Sequence, residues 1–159
     1  MNTFGNWSNI GKQSHSIGWN NCSHNVDCKV YEMEKSDFSS NQWQRLLDEI
    51  REKLIYQAKL YKPISYGELC RKLNSCSLGP NDGALHTALG EISVIEHRAG
   101  QGFLSSYCGS SRVQNNMPGK GFFKLVNDEG VKYKNRIDFV KAEREKLHNI
   151  HRNPAVLKM

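Results

Sequence analysis

The stretch "ISYGELCRKL", Ile64 to Leu73, decides how this chain is read. Ser65 stands where a helix N-cap belongs, and Glu68 follows three residues later, which is the spacing of a capping box. Ile64 before the cap and Leu69 inside the helix make a hydrophobic staple. The pattern predicts a short helix from Tyr66 to Asn74 with Leu69, Cys70 and Leu73 turned inward.

The same grammar appears upstream in "DFSSNQWQRLLDEIREKLIYQAKLY". Ser39 and Gln42 form a second capping box, with Phe38 and Trp43 as its staple. Trp43, Leu46, Leu47, Ile50, Leu54 and Ala58 recur at helical spacing and predict one buried face. Arg45–Glu49 and Glu49–Lys53 are i,i+4 pairs for the wet side, and Pro63 closes the helical region. Downstream, Ser75 to Gly83 reads as a loop. "DGALHTALGEISVIEHRAG" then predicts a third helix, capped by Asn81 or Asp82 and stopped by Gly100. Its apolar stripe is Leu85, Ala88, Leu89, Ile92 and Ile95, which leaves Asp82, His86, Thr87, Glu91 and Glu96 for solvent.

After residue 100 the period changes. "GFLSSYCGSS" and "GFFKLV" read as short strands, and "RVQNNMPGKG" between them has the Asn, Pro and Gly of a hairpin loop. "NDEG" is a further turn. A last helix runs from about Ile137 to Ile150, with Phe139, Val140, Leu147 and Ile150 apolar and His148 and His151 on a solvated face. Residues 1–37 are polar, with scattered aromatics and no sustained period; "CKVYEME" within them offers at most one short strand. The order predicts an α+β fold over residues 38–152: a winged-helix-like three-helix core, a β-hairpin wing and a C-terminal helix. A flexible polar N-terminal arm precedes it at 1–37, and a tail follows at 153–159.

Composition narrows the function. The 159 residues carry a net charge of +6, are 38% hydrophobic and have a mean hydropathy of −0.65. Residues 120–159 hold ten of the 22 basic residues but only five of the 16 acidic ones, so a polyanion is best received there. No apolar run approaches the ~20 residues of a membrane span. "MNTFGNWSNIGK" lacks the basic and apolar blocks of a secretory signal. Five cysteines, an odd number, then fit free thiols in a reducing, cytoplasmic setting.

"SYGELCRKL", "GALHTALGEI" and the segment bearing Cys108 together resemble the C-terminal DNA-binding domain of the methylated-DNA–protein-cysteine methyltransferase family. The resemblance spans roughly Ile64 to Cys108 and is closest from Ser65 to Leu69. It implies a winged-helix fold, DNA as partner and Cys108 at the position of the acceptor thiol. The family has Pro-Cys-His-Arg there, whereas this chain reads "SYCGSSR", with Gly109 in place of the histidine.

A thiol attacks as its thiolate and needs a base or a positive field beside it. Arg112 is near Cys108 in sequence, and His86 or His97 is a candidate in space. His15, Cys22, His24 and Cys28 are metal-ligand types without the paired Cys-x-x-Cys knuckle of a zinc site, and Cys70 and Cys76 lack it too. Glu91 and Glu96 are five apart and do not face each other on a helix. "PGKGFF" has no Walker spacing. No cofactor is expected.

The favoured reading is non-enzymatic binding of duplex DNA or another polyanion. Arg112, Lys120 and Lys124 would meet phosphate, Lys132, Lys134 and Arg136 would add positive field, and His86 and Thr87 would reach base edges. Asn115 and Asn116 are further donors in the wing. The alternative is a protein-interaction or regulatory module that uses the arm, with Trp7 and Trp19 as anchors. An alkyl-acceptor thiol at Cys108 is the third reading.

Overall fold

The structure, a computed structural model, describes residues 33–152. It is α+β: five α-helices and one small two-stranded parallel sheet. The helices are α1 (Ser40–Leu60), α2 (Tyr66–Lys72), α3 (Gly83–Arg98), α4 (Lys120–Asp128) and α5 (Arg136–Arg152). The strands are β1 (Ile64–Ser65) and β2 (Cys108–Gly109), paired in parallel with Ile64 opposite Cys108 and Ser65 opposite Gly109.

The first two helices start as their caps predict. Ser39 Oγ accepts from the Gln42 amide at 3.2 Å, Gln42 Oε1 accepts from the Ser39 amide at 2.8 Å, and Phe38 packs on Trp43. Ser65 Oγ accepts from the Glu68 amide at 3.1 Å. Each such cap is worth about 1 kcal/mol. The chain leaves α1 through Tyr61 in the left-handed conformation, φ 53°.

The inward faces of α1, α2 and α3 meet in one core that includes Leu46, Ile50, Leu54, Leu69, Leu85 and Ala88. Each fully buried Leu or Ile there contributes about 1.5–3 kcal/mol relative to exposure. The Glu49 carboxylate accepts from the Asn74 and Ser75 amides and so ties the end of α2 to α1. A second cluster, Phe103, Phe122, Phe123, Val126 and Val140, joins α4 to α5.

Several expectations are corrected. The β-hairpin wing is absent among the described residues. Leu104–Tyr107 forms a 3-10 turn, β2 pairs with β1 rather than with a following strand, and "GFFKLV" lies inside α4. Phe122, Phe123 and Val126 are all buried, and positions i, i+1 and i+4 share the side of a helix that meets α5 and Phe103. A flat strand would turn only alternate residues to that partner. Ile95, assigned to the apolar stripe of α3, is 60% exposed, whereas Glu96 is buried and paired with Arg51. Glu91 is bound by Lys35 and by Trp43 Nε1. Neither glutamate is the free surface carboxylate that the helical pattern suggested. His151 is buried, and His148 Nδ1 donates to the Ala58 carbonyl at 2.8 Å, so the pair does not form a solvated face.

The expected arm ran to residue 37, yet Met33 is a core residue and 33–37 packs on α3. Most of "CKVYEME", Trp7 and Trp19, the metal candidates His15, Cys22, His24 and Cys28, and the tail 153–159 lie outside the described residues. No helix among the described residues is long and apolar enough to cross a membrane.

Candidate functional site

A cavity of about 320 Å³ opens between α2, α3 and α4, and Tyr66, His86, Ser105, Cys108 and Lys120 line it. Leu89 and Phe122 supply apolar wall. The Ser65 cap fixes the first turn of α2, which aims Tyr66 at the start of α4. There Tyr66 Oη accepts a hydrogen bond from the Gly119 amide at 3.1 Å. Burial raises the Tyr66 phenol above its usual value, so it stays neutral and keeps its own proton to donate.

His86 sits edge-on to the Tyr66 ring at 5.0 Å. Its Nε2–H donates to the Pro80 carbonyl at 2.9 Å, which leaves Nδ1 as an acceptor in the neutral ring. Thr87 is its exposed neighbour. Lys120 is the first residue of α4, after a Gly119 N-cap that supplies no capping side chain. Lys124 follows one turn on and pairs with Asp128 at 2.8 Å, which raises the lysine above its usual value.

Cys108 is 1% exposed, held in register with Ile64. Burial, with a smaller contribution from Cys70, pushes its thiol far above the usual range, against a weaker opposing effect of Arg144. His86 lines the same cavity but is engaged with Pro80, and His97 is stacked on Phe103 at 4.2 Å. Cys108 is therefore a neutral thiol, and neither His86 nor His97 is engaged with it as a base. Cys70, Cys76 and Cys108 are free thiols, and the first two are likewise raised by burial, to about 11 and about 12.

The remaining predicted cations are divided. Arg112 is exposed in the loop 110–117, which the Ser110 amide closes on the Met117 carbonyl at 3.1 Å. Lys132 and Lys134 are exposed beyond α4. Arg136 lies over the Phe123 ring at 4.6 Å. Helical spacing puts Phe123 on the side of α4 opposite the cavity-lining Gly121 and Leu125. The cavity thus brings His86 and Lys120 together; Thr87 and Lys124 are exposed outside its lining, and Arg136 lies over Phe123.

Sequence reasoning missed Arg144. Its buried guanidinium donates to the carbonyls of Ser106 (2.7 Å), Asn115 (3.0 Å) and Asn116 (3.0 Å). It holds the loop 110–117 where Asn115 and Asn116 both adopt positive φ, 60° and 49°. Tyr107 Oη donates back to the Arg144 carbonyl at 2.5 Å. Within "KAEREKLH" the residue looks like one more surface charge. The only sequence hint is its i,i+4 and i,i+3 spacing from the buried Val140 and Leu147.

Comparison of the chain with protein-family models, with curated proteins and with solved structures finds no match.

Proposed function

We propose that this chain binds duplex DNA without performing chemistry on it. In this reading α2 and α3 approach the duplex as a helix-turn-helix pair, and α4, in place of a wing, follows the phosphate backbone. The observation that carries it is that His86 and Lys120 line one cavity, with the exposed Lys124 one turn further along α4. Two further features support it. The carboxylates of Glu91 and Glu96, which would repel phosphate from α3, are already matched by Lys35 and Arg51. The neutral, buried Cys108 thiol favours binding over alkyl transfer. Lys120, Lys124 and Arg112 contact phosphate, and His86 and Thr87 reach base edges from the first turns of α3.

The test is a titration of a fluorescent duplex at several salt concentrations. Lys120→Glu with Lys124→Glu lowers affinity about tenfold to a hundredfold at low salt and makes the salt dependence shallower by about two counterions. Absence of duplex binding at the lowest salt rejects the reading. It would turn attention to the exposed Tyr56 (56%), Leu60 (52%) and Tyr61 at the end of α1 as a protein-binding face.

A further inference from the structure

Two helices each give a glycine to the wall of the cavity between α2, α3 and α4. Gly90 lies inside α3, four residues after His86 and on the same face, and Gly121 lies in the first turn of α4; all three line the cavity. Neither glycine has the positive φ found at Gly100, Gly102 and Gly130. A Cβ at either position meets nothing within 4 Å. Neither backbone conformation nor packing within the chain therefore calls for glycine at these places, and Gly90 weakens the interior of α3 relative to alanine. The two glycines keep the cavity wide and leave bare backbone at its wall, which is how glycine serves where a ligand comes close.

The chemistry of the lining is one-sided. Lys120 is its one permanently charged group; it has no ion-pair partner among the described residues, and no carboxylate of the described residues lines the cavity. Next to Lys120 in the chain, the Gly119 amide donates to Tyr66 Oη at 3.1 Å, and the phenol still has its own proton to donate. Leu89, Phe122 and Leu125 supply apolar wall. The volume of about 320 Å³ is at the small end of ligand pockets, which run from about 300 to 1,000 Å³, so there is room for one ring or a short chain.

We propose that this cavity binds a small apolar carboxylate, a single ring or a short alkyl chain that ends in a carboxylate group. The carboxylate accepts from the Lys120 ammonium and the Tyr66 hydroxyl. The apolar body packs on Leu89, Phe122 and Leu125 and against the bare backbone of Gly90 and Gly121. The inference goes beyond the DNA-binding reading and does not need it: the ligand is measured with no duplex present, so either one can fail alone.

Benzoate and octanoate are the probes. They are titrated into the full chain to about 20 mM and followed by the amide signals in two-dimensional NMR, because ligands this small bind in about the millimolar range. Benzyl alcohol keeps the ring without the charge, and inorganic phosphate keeps a charge without the apolar body. Saturable shifts centred on the Gly90, Gly119 and Gly121 amides are expected for the two carboxylates, with benzyl alcohol about threefold to tenfold weaker and phosphate weaker than benzoate. Gly90→Leu grows a side chain into the cavity and is expected to abolish the shifts at Gly119 and Gly121. Lys120→Gln is expected to bring benzoate down to the level of benzyl alcohol; it changes an exposed side chain and so tests the site even if Gly90→Leu does not fold. The proposal is overturned by no saturable shift with either carboxylate, or by shifts centred away from the three glycines. It is equally overturned if benzoate binds a folded Gly90→Leu or the Lys120→Gln variant as well as wild type, or if benzyl alcohol or phosphate binds as well as benzoate.

Discussion

Tyr66 Oη and the Gly119 amide, 3.1 Å apart, join the first turn of α2 to the first turn of α4 across one wall of the cavity. The two residues are 53 positions apart in sequence, so this bond sets how far α4 stands from the α2–α3 pair. Tyr66→Phe keeps the ring and its contact with His86 but leaves a part-buried amide without its acceptor. The expected cost is about 1–2 kcal/mol in urea unfolding. Duplex affinity is expected to fall with it, because Lys120 follows Gly119 directly. A variant as stable as wild type shows that the bond does not position α4.

Two glycines are expected to respond in opposite directions. A Cβ on Gly109 meets the carbonyl groups of Asn116 and Met117, which are backbone atoms fixed by Arg144 and Ser110. Gly109→Ala is expected to cost more than about 3 kcal/mol or to prevent folding. Gly90 lies inside α3, and a Cβ there meets nothing within 4 Å. Gly90→Ala is expected to stabilise the protein by about 0.5–1 kcal/mol. Thermal melts of the two variants decide it; similar midpoints would mean that the close approach at Gly109 is absent.

Arg144 is expected to be intolerant of lysine. A planar guanidinium spans three carbonyls at once, and a single ammonium on a flexible stem does not reproduce that fork. Arg144→Lys and Arg144→Met are both expected to lose about 2–4 kcal/mol and to make the loop 110–117 sensitive to protease. Full resistance of that loop in Arg144→Met would show that the two left-handed asparagines hold the turn without help.

His151 gives the stability a pH dependence. Burial lowers it from its ordinary 6.5, Glu96 opposes that shift, and Arg51 and Lys59 add to it. Its Nε2 has no hydrogen-bond partner among the described residues. With the folded value below the unfolded one, the unfolded chain takes up the proton first as pH falls. The stability from neutral His151 is therefore complete above pH 6.5 and declines as pH drops through the folded value. Melting midpoints from pH 8 to pH 5 are expected to fall less for His151→Gln than for wild type. Parallel curves would assign the acid loss to other groups.

The helices that start with Ser39 and Ser65 could be read in the sequence because their causes are local. A cap, a staple and an apolar stripe lie within a few residues of one another, and each constrains the chain whatever it later packs against. His86 and Lys120 could be named as exposed residues from the sequence. Their shared cavity could not be, because it depends on where α4 is placed.

The segment "GFFKLV" shows the limit. Six residues with two adjacent phenylalanines satisfy a strand and a helix almost equally, and the decision falls to Phe103 and α5, which receive one face of a helix. Arg144, Glu96 and His151 show the same limit for burial. A charged residue in a helix is read as exposed by default, and only partners far along the chain reverse that. For Arg144 those partners lie 28 to 38 residues away.

The sequence by itself determined where α1 and α2 begin, which faces those two helices turn inward, and that the positive charge gathers after residue 120. The tertiary structure alone decided that α4 is a helix and that Tyr66 and Lys120 share a cavity. The reason is range. Hydrogen-bonded caps and helical periodicity act over one or two turns, whereas burial energies and the pairing of buried charge are set by residues that meet only after the chain has closed on itself.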